Sequence, residues 1–348
     1  MSDGATLWPD VLGRLVRRED LSPDLAAAAL GAVLRGEATD AQIAGFAVGL
    51  RAKGETPTEL AALVRTMLEH SEHVDLDGPL LDTCGTGGDR AGTVNVSTLA
   101  ALVAAAAGAP VVKHGNRAAS SRCGSADVLE ALGVVIDLGP KGVGRCVADA
   151  GIGFCFAPRY HPAMRFAGPV RGQLGVPTTF NMLGPLANPA GARRRTVGVS
   201  DPAMAERVVG ALAELGVEHA LVFYGHDGLD ELTTTTTSTV YEHRDGSTRR
   251  YDVDPAALGL AAVAPSALCG GDASDNADAV HRVLDGTHGP HREFAALNAA
   301  AALVVAGIAD DLAGGLDTAF AVLDDGRAGA TLEAFVRVSQ TARETEAA

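Results

Sequence analysis

The chain has 348 residues, of which 47% are apolar, 20% charged and only 4% aromatic. That length allows one large domain or two with a well-buried core, and the scarcity of aromatics leaves the core to Ala, Val and Leu. Twenty-eight Lys and Arg against 43 Asp and Glu leave a formal charge of −15, which argues against nucleic acid and anionic membranes as general partners.

The opening MSDGATLWPD has neither the basic start nor the apolar run of a signal peptide, so a soluble cytoplasmic protein is expected. The first seventy or so residues read as helices joined by short turns. Ser22 and Pro23 start one as cap and first helical residue, Leu25, Leu30 and Leu34 lean to one side of it, and Gly36 ends it. Thr39 with Gln42 makes a capping box for the next, striped by Ile43, Ala47 and Leu50 and closed by Gly54. Thr56, Pro57 and Glu59 open a third, which carries Leu60, Leu63, Val64, Met67 and Leu68. Such a unit suits a dimer surface or a lid, and both readings stay open.

From Leu80 the pattern changes to short apolar strands alternating with helices. Strands are expected at Pro110–Lys113, Val134–Leu138, Ile152–Phe156, Thr196–Gly198 and Ala220–Tyr224, with helices at Ala126–Ala131, Gly142–Ala150 and Pro202–Leu215. Alternation of this kind argues for a mostly parallel sheet covered by helices. Val240–Val253 reads as an antiparallel addition turning at Asp245-Gly246, and Asn276–Leu284 and Glu293–Ala306 as a helical finish. Cys84, Cys123, Cys146, Cys155 and Cys269 are odd in number and lack C-x-x-C spacing, which predicts reduced thiols rather than disulfides or a zinc site. The Ala-rich run Leu99–Ala107 is too short to span a bilayer.

The stretch that organises the rest lies between Asp82 and Ser125. An apolar approach ends in Gly85-Thr86-Gly87-Gly88-Asp89, Asn95-Val96-Ser97-Thr98 opens a long helix, and a strand then delivers Lys113-His114-Gly115-Asn116-Arg117. Glycine amides, a helix N-terminus and two cations at consecutive strand ends make a site for a phosphorylated ligand. The glycine run is neither G-x-G-x-x-G nor a Walker A loop. Taken singly, each of the three motifs has a plain reading as turn, helix cap or solvated loop. Ser120, Ser121 and Ser125 either cap the helix beginning near Ala126 or donate to a phosphate.

Between Arg159 and Pro189 the chain is rich in Pro and Gly and reads as interrupted helical segments lining a cleft, with Ala163–Arg171 helical. Arg165 and Arg171 have a plain reading as surface charges, and the run Arg193–Arg195 reads as a solvated loop. After the strand Ala220–Tyr224 come Asp230 and Glu231, adjacent carboxylates in a strand-end loop. Alone they are a solvated turn; beside a phosphate site they fit magnesium, which takes one or two carboxylates and fills its other positions with water and substrate phosphate. His114 and His161 have no partner at metal-binding spacing, and no nucleophile–base pair for covalent catalysis stands out.

The runs Asp82–Asp89, Asn95–Thr98, Lys113–Arg117, Phe180–Pro189 and Gly228–Glu231, reading DTCGTGGD, NVST, KHGNR, FNMLGPLANP and GLDE, together resemble the anthranilate phosphoribosyltransferases. The likeness covers nearly the whole chain in order; KHGNR with FNMLGPLANP is specific, whereas GTGGD alone is not. It implies a small all-helical N-terminal domain (residues 1–76, joined by part of 160–190) and a larger α/β domain (77–348) with a mostly parallel central sheet flanked by helices. It implies a cytoplasmic homodimer formed through the helical domain, with magnesium as cofactor. The implied reaction moves phosphoribose from phosphoribosyl pyrophosphate to the amine of anthranilate on the way to tryptophan.

Carried over residue by residue, the donor site comprises Gly85, Gly88, Asp89, Thr93, Asn95, Val96, Ser97, Thr98, Lys113, His114, Gly115, Asn116, Arg117, Ala118, Ala119, Ser120 and Ser121, with Ser125 nearby. Ser97, Asp230 and Glu231 are the implied magnesium ligands. Gly85, His114, Asn116 and Arg171 are the implied anthranilate contacts. The chain departs from the family pattern at Pro177, where many members carry Arg, so any contact made by that Arg does not carry over. A pyrimidine nucleoside phosphorylase of the same architecture would not need the paired acids for pyrophosphate-bound magnesium. A nucleic-acid-binding paralogue should be basic and should have lost these motifs.

Overall fold

The structure is a computed structural model that describes residues 4–118 and 122–347. Four helices come first: α1 (Gly4–Val16), α2 (Pro23–Leu34), α3 (Asp40–Lys53) and α4 (Pro57–Glu69). Their starts are where the caps predict. Ser22 accepts from the Leu25 amide, and the Thr39/Gln42 and Thr56/Glu59 boxes are both closed. Gly36 and Gly54 turn the chain at positive φ after α2 and α3.

The remainder builds one seven-stranded sheet in the order β3-β2-β1-β4-β5-β6-β7. Its strands are β1 (Leu81–Gly85), β2 (Val111–Gly115), β3 (Ile152–Phe156), β4 (Arg194–Gly198), β5 (His219–Gly225), β6 (Ser238–Arg244) and β7 (Ser247–Val253). The first five run parallel and the last two antiparallel. Parallel strands buried on both faces need continuous apolar runs, and Val111, Val112, Ile152, Phe154 and Val222 are all buried. The β6–β7 hairpin turns at Asp245-Gly246, both at positive φ, as the sequence predicts.

One expected strand is absent. Residues 134–138 form no ladder, although Val134, Ile136 and Leu138 alternate into the core as strand residues do. Their backbone is satisfied by side chains instead: Ser339 accepts from the Val135 amide, Arg343 donates to the Asp137 carbonyl and Tyr160 to that of Leu138. With Ser339 and Arg343 of the helix Arg327–Ala347 and Tyr160 supplying those partners, no neighbouring strand is required.

Two hydrophobic clusters organise the interior. One wraps α5 (Val96–Ala106), the helix Pro290–Ala306 and the face of the sheet they cover. The other joins α1–α4 to the opposite face, through Val197, Val222 and the helix Pro202–Glu214, and takes in Ala167, Val170, Phe180 and Leu186 from the middle segment. That segment is a series of short helices, Ala157–Tyr160, Pro162–Phe166, Gly168–Leu174 and Phe180–Leu186, the interrupted form its Pro and Gly content predicts. Gly210 allows the close approach of α4, since a Cβ there would meet Pro57 at 2.9 Å. Among the described residues none of the five cysteines is in a disulfide. Among the described residues no helix is long and apolar enough to cross a membrane.

Candidate active site

The chain leaves β1 toward β2 on one side and returns to β4 on the other, so β1 lies at the switch point of the parallel sheet. In open α/β sheets the crevice outside the strand carboxyl ends at such a point is where ligands bind. The glycine loop follows β1, the basic loop follows β2, Ser200 follows β4 and the acidic loop follows β5.

The glycine and acidic loops are fastened together. The Gly87 amide donates to Asp230 Oδ2 at 2.7 Å, and a Cβ on Gly85 would lie 2.5 Å from the same oxygen. A Cβ on Gly198 would sit 1.6 Å from the Asp230 carbonyl. Gly87 and Gly88 adopt φ of 66° and 90°, a region where other residues are strained. Ser200 grips the loop from β4, its Oγ donating to the Gly87 carbonyl at 2.8 Å while its amide donates to Thr86. Asp230 is 7% exposed, not the solvated turn its plain reading predicts. Burial, then the charge of Asp89, pushes its carboxyl up to about 7; burial and Asp230 push Glu231 well above the usual carboxylate range. Both are carboxylates in want of a cation.

A second buried group stands beside β1. Lys113 Nζ donates to the Thr83 carbonyl and, at 3.2 Å, to Ser97 Oγ at the start of α5. Burial lowers the Lys113 pKa, opposed by the charges of Asp82, Cys84 and Glu231. Asp82, fully buried in β1, accepts from the His114 amide and from Asn188. It ties the end of β2 to the Gly184–Pro189 turn. His114 Nδ1 lies 3.0 Å from the Gly184 carbonyl, which can only accept, so Nδ1 carries the proton and Nε2 is left as an acceptor. Nε2 is buried with no partner among the described residues. Burial pushes this imidazole down to about 4 and keeps it neutral.

Other expected site residues take roles of their own. Asn95 stands at the N-cap of α5 but its side chain does not cap; it donates to the Cys123 carbonyl and accepts from Asn276. Thr93 bridges to Cys269, and Val96 and Thr98 are buried, with Thr98 Oγ1 lacking a partner among the described residues. Ser125 does not cap its helix (Ser125–Ala131) either. Gly124 is the cap, its amide held by Asp127, while Ser125 donates to the Asn116 carbonyl. A Cβ on Gly115 would meet Ser125 Oγ at 2.2 Å, so the two loops close only around glycine. Arg117 is paired on the surface with Asp127 and Glu130. The Ala118 amide also goes to Asp127. Asn116 is exposed. Ala119, Ser120 and Ser121 lie outside the described residues.

Across the crevice Arg171 is half-buried on the helix Gly168–Leu174, its guanidinium 6.0 Å from the centre of the Phe180 ring. No carboxylate pairs with it among the described residues, and burial lowers its pKa. An unpaired, desolvated guanidinium is a ready carboxylate receptor. The run Arg193–Arg195 is not a solvated loop. Arg194 and Arg195 lie in β4, and Arg195, 4% exposed, donates to the carbonyls of Ala192, Pro185 and Leu186. It thereby fixes the Leu183–Pro189 turn beside His114.

Sequence reasoning missed Asp82 as a hub, and Arg195 and Ser200 as supports. An acid inside an apolar strand was the available signal for Asp82. Nothing in local spacing marks the other two. Among the described residues no three His, Cys, Asp or Glu side chains group to hold a metal, so a cation here would rest on Asp230, Glu231, a hydroxyl and its own substrate.

Comparison with known proteins agrees along the whole chain. Residues 77–329 match the glycosyl transferase family a/b domain and 9–71 its helical bundle domain. The chain is 53% identical to the anthranilate phosphoribosyltransferase of Roseiflexus castenholzii, over 96% of this chain and 99% of that one. It is 50% identical to that of Salinispora arenicola over 98% and 99%. The crystal structure of the Thermus thermophilus enzyme superposes with a TM-score of 0.90 at 43% identity, over 95% of this chain and 99% of that one. The Saccharomyces cerevisiae enzyme in complex with phosphoribosyl pyrophosphate and magnesium does so at 0.88 and 27% identity, over 97% and 99%.

Proposed function

The chain belongs to the anthranilate phosphoribosyltransferase family, and from that premise we propose how its own residues divide the work. It transfers the 5-phosphoribosyl group from phosphoribosyl pyrophosphate to the amine of anthranilate, releasing pyrophosphate, in tryptophan biosynthesis. The observation that carries the residue assignment is the Asp230–Gly87 contact. It brings the phosphate-type loop and the acid pair to one point outside β1.

The donor lies along the glycine loop and the start of α5, where the backbone amides of Gly88 and Asp89 and the N-terminus of α5 face its phosphates. When bound, magnesium would supply the charge that neutralises the departing pyrophosphate. Asp230, Glu231 and Ser97 would hold it, and the raised pKa values of the two acids fit that demand. Lys113 fixes Ser97, and the charge of Glu231 helps oppose the lowering of its pKa by burial. Anomeric displacement passes through oxocarbenium-like charge, so the enzyme's task is to clamp the leaving group and align the amine. Arg171 takes the anthranilate carboxylate. His114, neutral with Nε2 as an acceptor, borders the amine and accepts an N–H hydrogen bond. The amine loses its proton after attack, so no strong base is needed.

The domain division follows the same reading, at 1–76 with part of 160–190 against 77–348. We place the enzyme in the cytoplasm as a homodimer paired through its helical domain, on which Val16 and Val48 are exposed. Loss of anthranilate fluorescence with purified protein, dependent on both phosphoribosyl pyrophosphate and magnesium, is the expected result. No loss under those conditions rejects the function.

A further inference from the structure

Glu55, in the turn between α3 and α4, belongs to the helical domain and touches neither proposed substrate position, yet its side chain is completely buried. One oxygen accepts from Thr179 Oγ1 at 2.5 Å; the other faces Arg51 at 3.5 Å and Arg207 at 3.6 Å. A buried carboxylate between two guanidiniums is costly unless the geometry holds, and here it spans three separate parts of the chain.

The two branches from Glu55 end at the two halves of the crevice. Thr179 immediately precedes the helix Phe180–Leu186, whose Phe180 ring lies under Arg171 and whose Gly184 carbonyl orients His114. Arg51, the other branch, is ion-paired to Asp201, which caps the helix Pro202–Glu214. Asp201 follows Ser200, the residue that grips the glycine loop at the Gly87 carbonyl. A single carboxylate of the helical domain therefore braces the acceptor side through Thr179 and the donor side through Arg51.

We propose that Glu55 is a positioning residue for the transfer, setting the register of the Arg171–Phe180 segment against the glycine loop. This rests on the site assignment above, and its failure is separable from that of the assignment. Alignment of the two reactants carries much of such a reaction, and displacement by about 1 Å is enough for a 10²-fold loss.

Steady-state kinetics on Glu55→Gln, Thr179→Val and Ser200→Ala tests it. Thr179→Val is expected to raise KM for anthranilate alone and Ser200→Ala KM for phosphoribosyl pyrophosphate alone, whereas Glu55→Gln raises both, about tenfold each, and lowers kcat. The pair Glu55→Gln with Thr179→Val should cost no more in anthranilate KM than Glu55→Gln alone, because both cut one branch. Glu55→Asp should recover part of the loss. If Glu55→Gln lowers Tm but leaves both KM values and kcat at wild-type levels, its role is structural and the proposal is overturned. Should Glu55→Gln fail to fold, Thr179→Val with unchanged anthranilate KM overturns it equally. Arg171→Ala run alongside separates the two readings. An unmoved anthranilate KM there sinks the acceptor assignment, whereas a raised one with a silent Glu55→Gln sinks only the brace.

Discussion

The two walls of the crevice are built by different means. The proposed donor wall is made of strand ends and the loops after them, locked by contacts to the backbone: Gly87 on Asp230, Gly198 against the Asp230 carbonyl, Lys113 on Thr83. The proposed acceptor wall is a string of short helices whose Arg171 has no carboxylate partner among the described residues, held by side chains that reach in from elsewhere. Backbone locking gives a rigid phosphate cradle that tolerates almost no added atom. Side-chain bracing gives a wall whose substrate contacts can be altered singly.

The largest effect should therefore come from adding one carbon to the donor wall. Gly198→Ala would drive a Cβ into the Asp230 carbonyl, backbone against backbone. We expect a stability loss of about 3 kcal/mol or more, since the added carbon meets backbone rather than the end of a flexible side chain, and a fall in kcat/KM of about 10³-fold as the acid pair is displaced. A normal Tm with normal turnover would show that this wall is not rigid.

Next is the charge of the same wall. With its carboxyl raised to about 7, Asp230 holds a proton in the folded chain where the unfolded chain has lost it. Its contribution to stability is full below the unfolded carboxylate value near ~4 and is lost as pH rises through about 7. Asp230→Asn should abolish that loss. The Tm of the variant relative to the parent, without ligands, should climb from pH 5 to pH 8, while turnover falls on the order of 10²-fold. In the parent, KM for phosphoribosyl pyrophosphate should rise as pH falls below about 7, because the proton competes with the cation. A Tm difference that stays flat across that range would refute the assigned shift.

On the acceptor wall, Arg171→Ala removes a contact without touching the cradle. KM for anthranilate should rise by about 10- to 100-fold, as for a lost charge-assisted pair. KM for phosphoribosyl pyrophosphate should stay within about threefold, the surrounding helix being retained. Equal losses for both substrates would mean that the two walls are not separable.

The same contrast explains what the sequence made legible. Caps, alternating strands and helices, and the glycine and acidic loops are local patterns; Ser22, Thr39 and Thr56 fall where spacing puts them, and β2 to β5 begin and end within two residues of their expected bounds. What escaped depends on distant partners. Residues 134–138 alternate as a strand would, but the C-terminal helix satisfies their backbone from some 200 residues away. Arg195 looks like one of three surface arginines until the Pro185 and Leu186 carbonyls close on it. Glu55 looks like a turn residue until Thr179, 124 positions later, covers it. The acceptor wall was harder to read because it is assembled from such long-range side-chain contacts.

The smallest expected effect concerns a residue that motif reading places squarely on the donor. Arg117 closes the KHGNR run, but its guanidinium is shared between Asp127 and Glu130 on the surface, with its side chain 47% exposed. Exposed pairs of this kind contribute about 0–1 kcal/mol, so Arg117→Ala should change Tm little. Its charge is offset by two neighbouring acids and lies in open solvent, where screening is strong. KM for phosphoribosyl pyrophosphate should therefore move by less than about threefold, far less than for any change to Asp230. A tenfold or larger rise, with Tm unchanged, would mean that Arg117 leaves its acids for a phosphate when the donor binds. The donor wall would then owe part of its grip to a mobile cation as well as to fixed backbone.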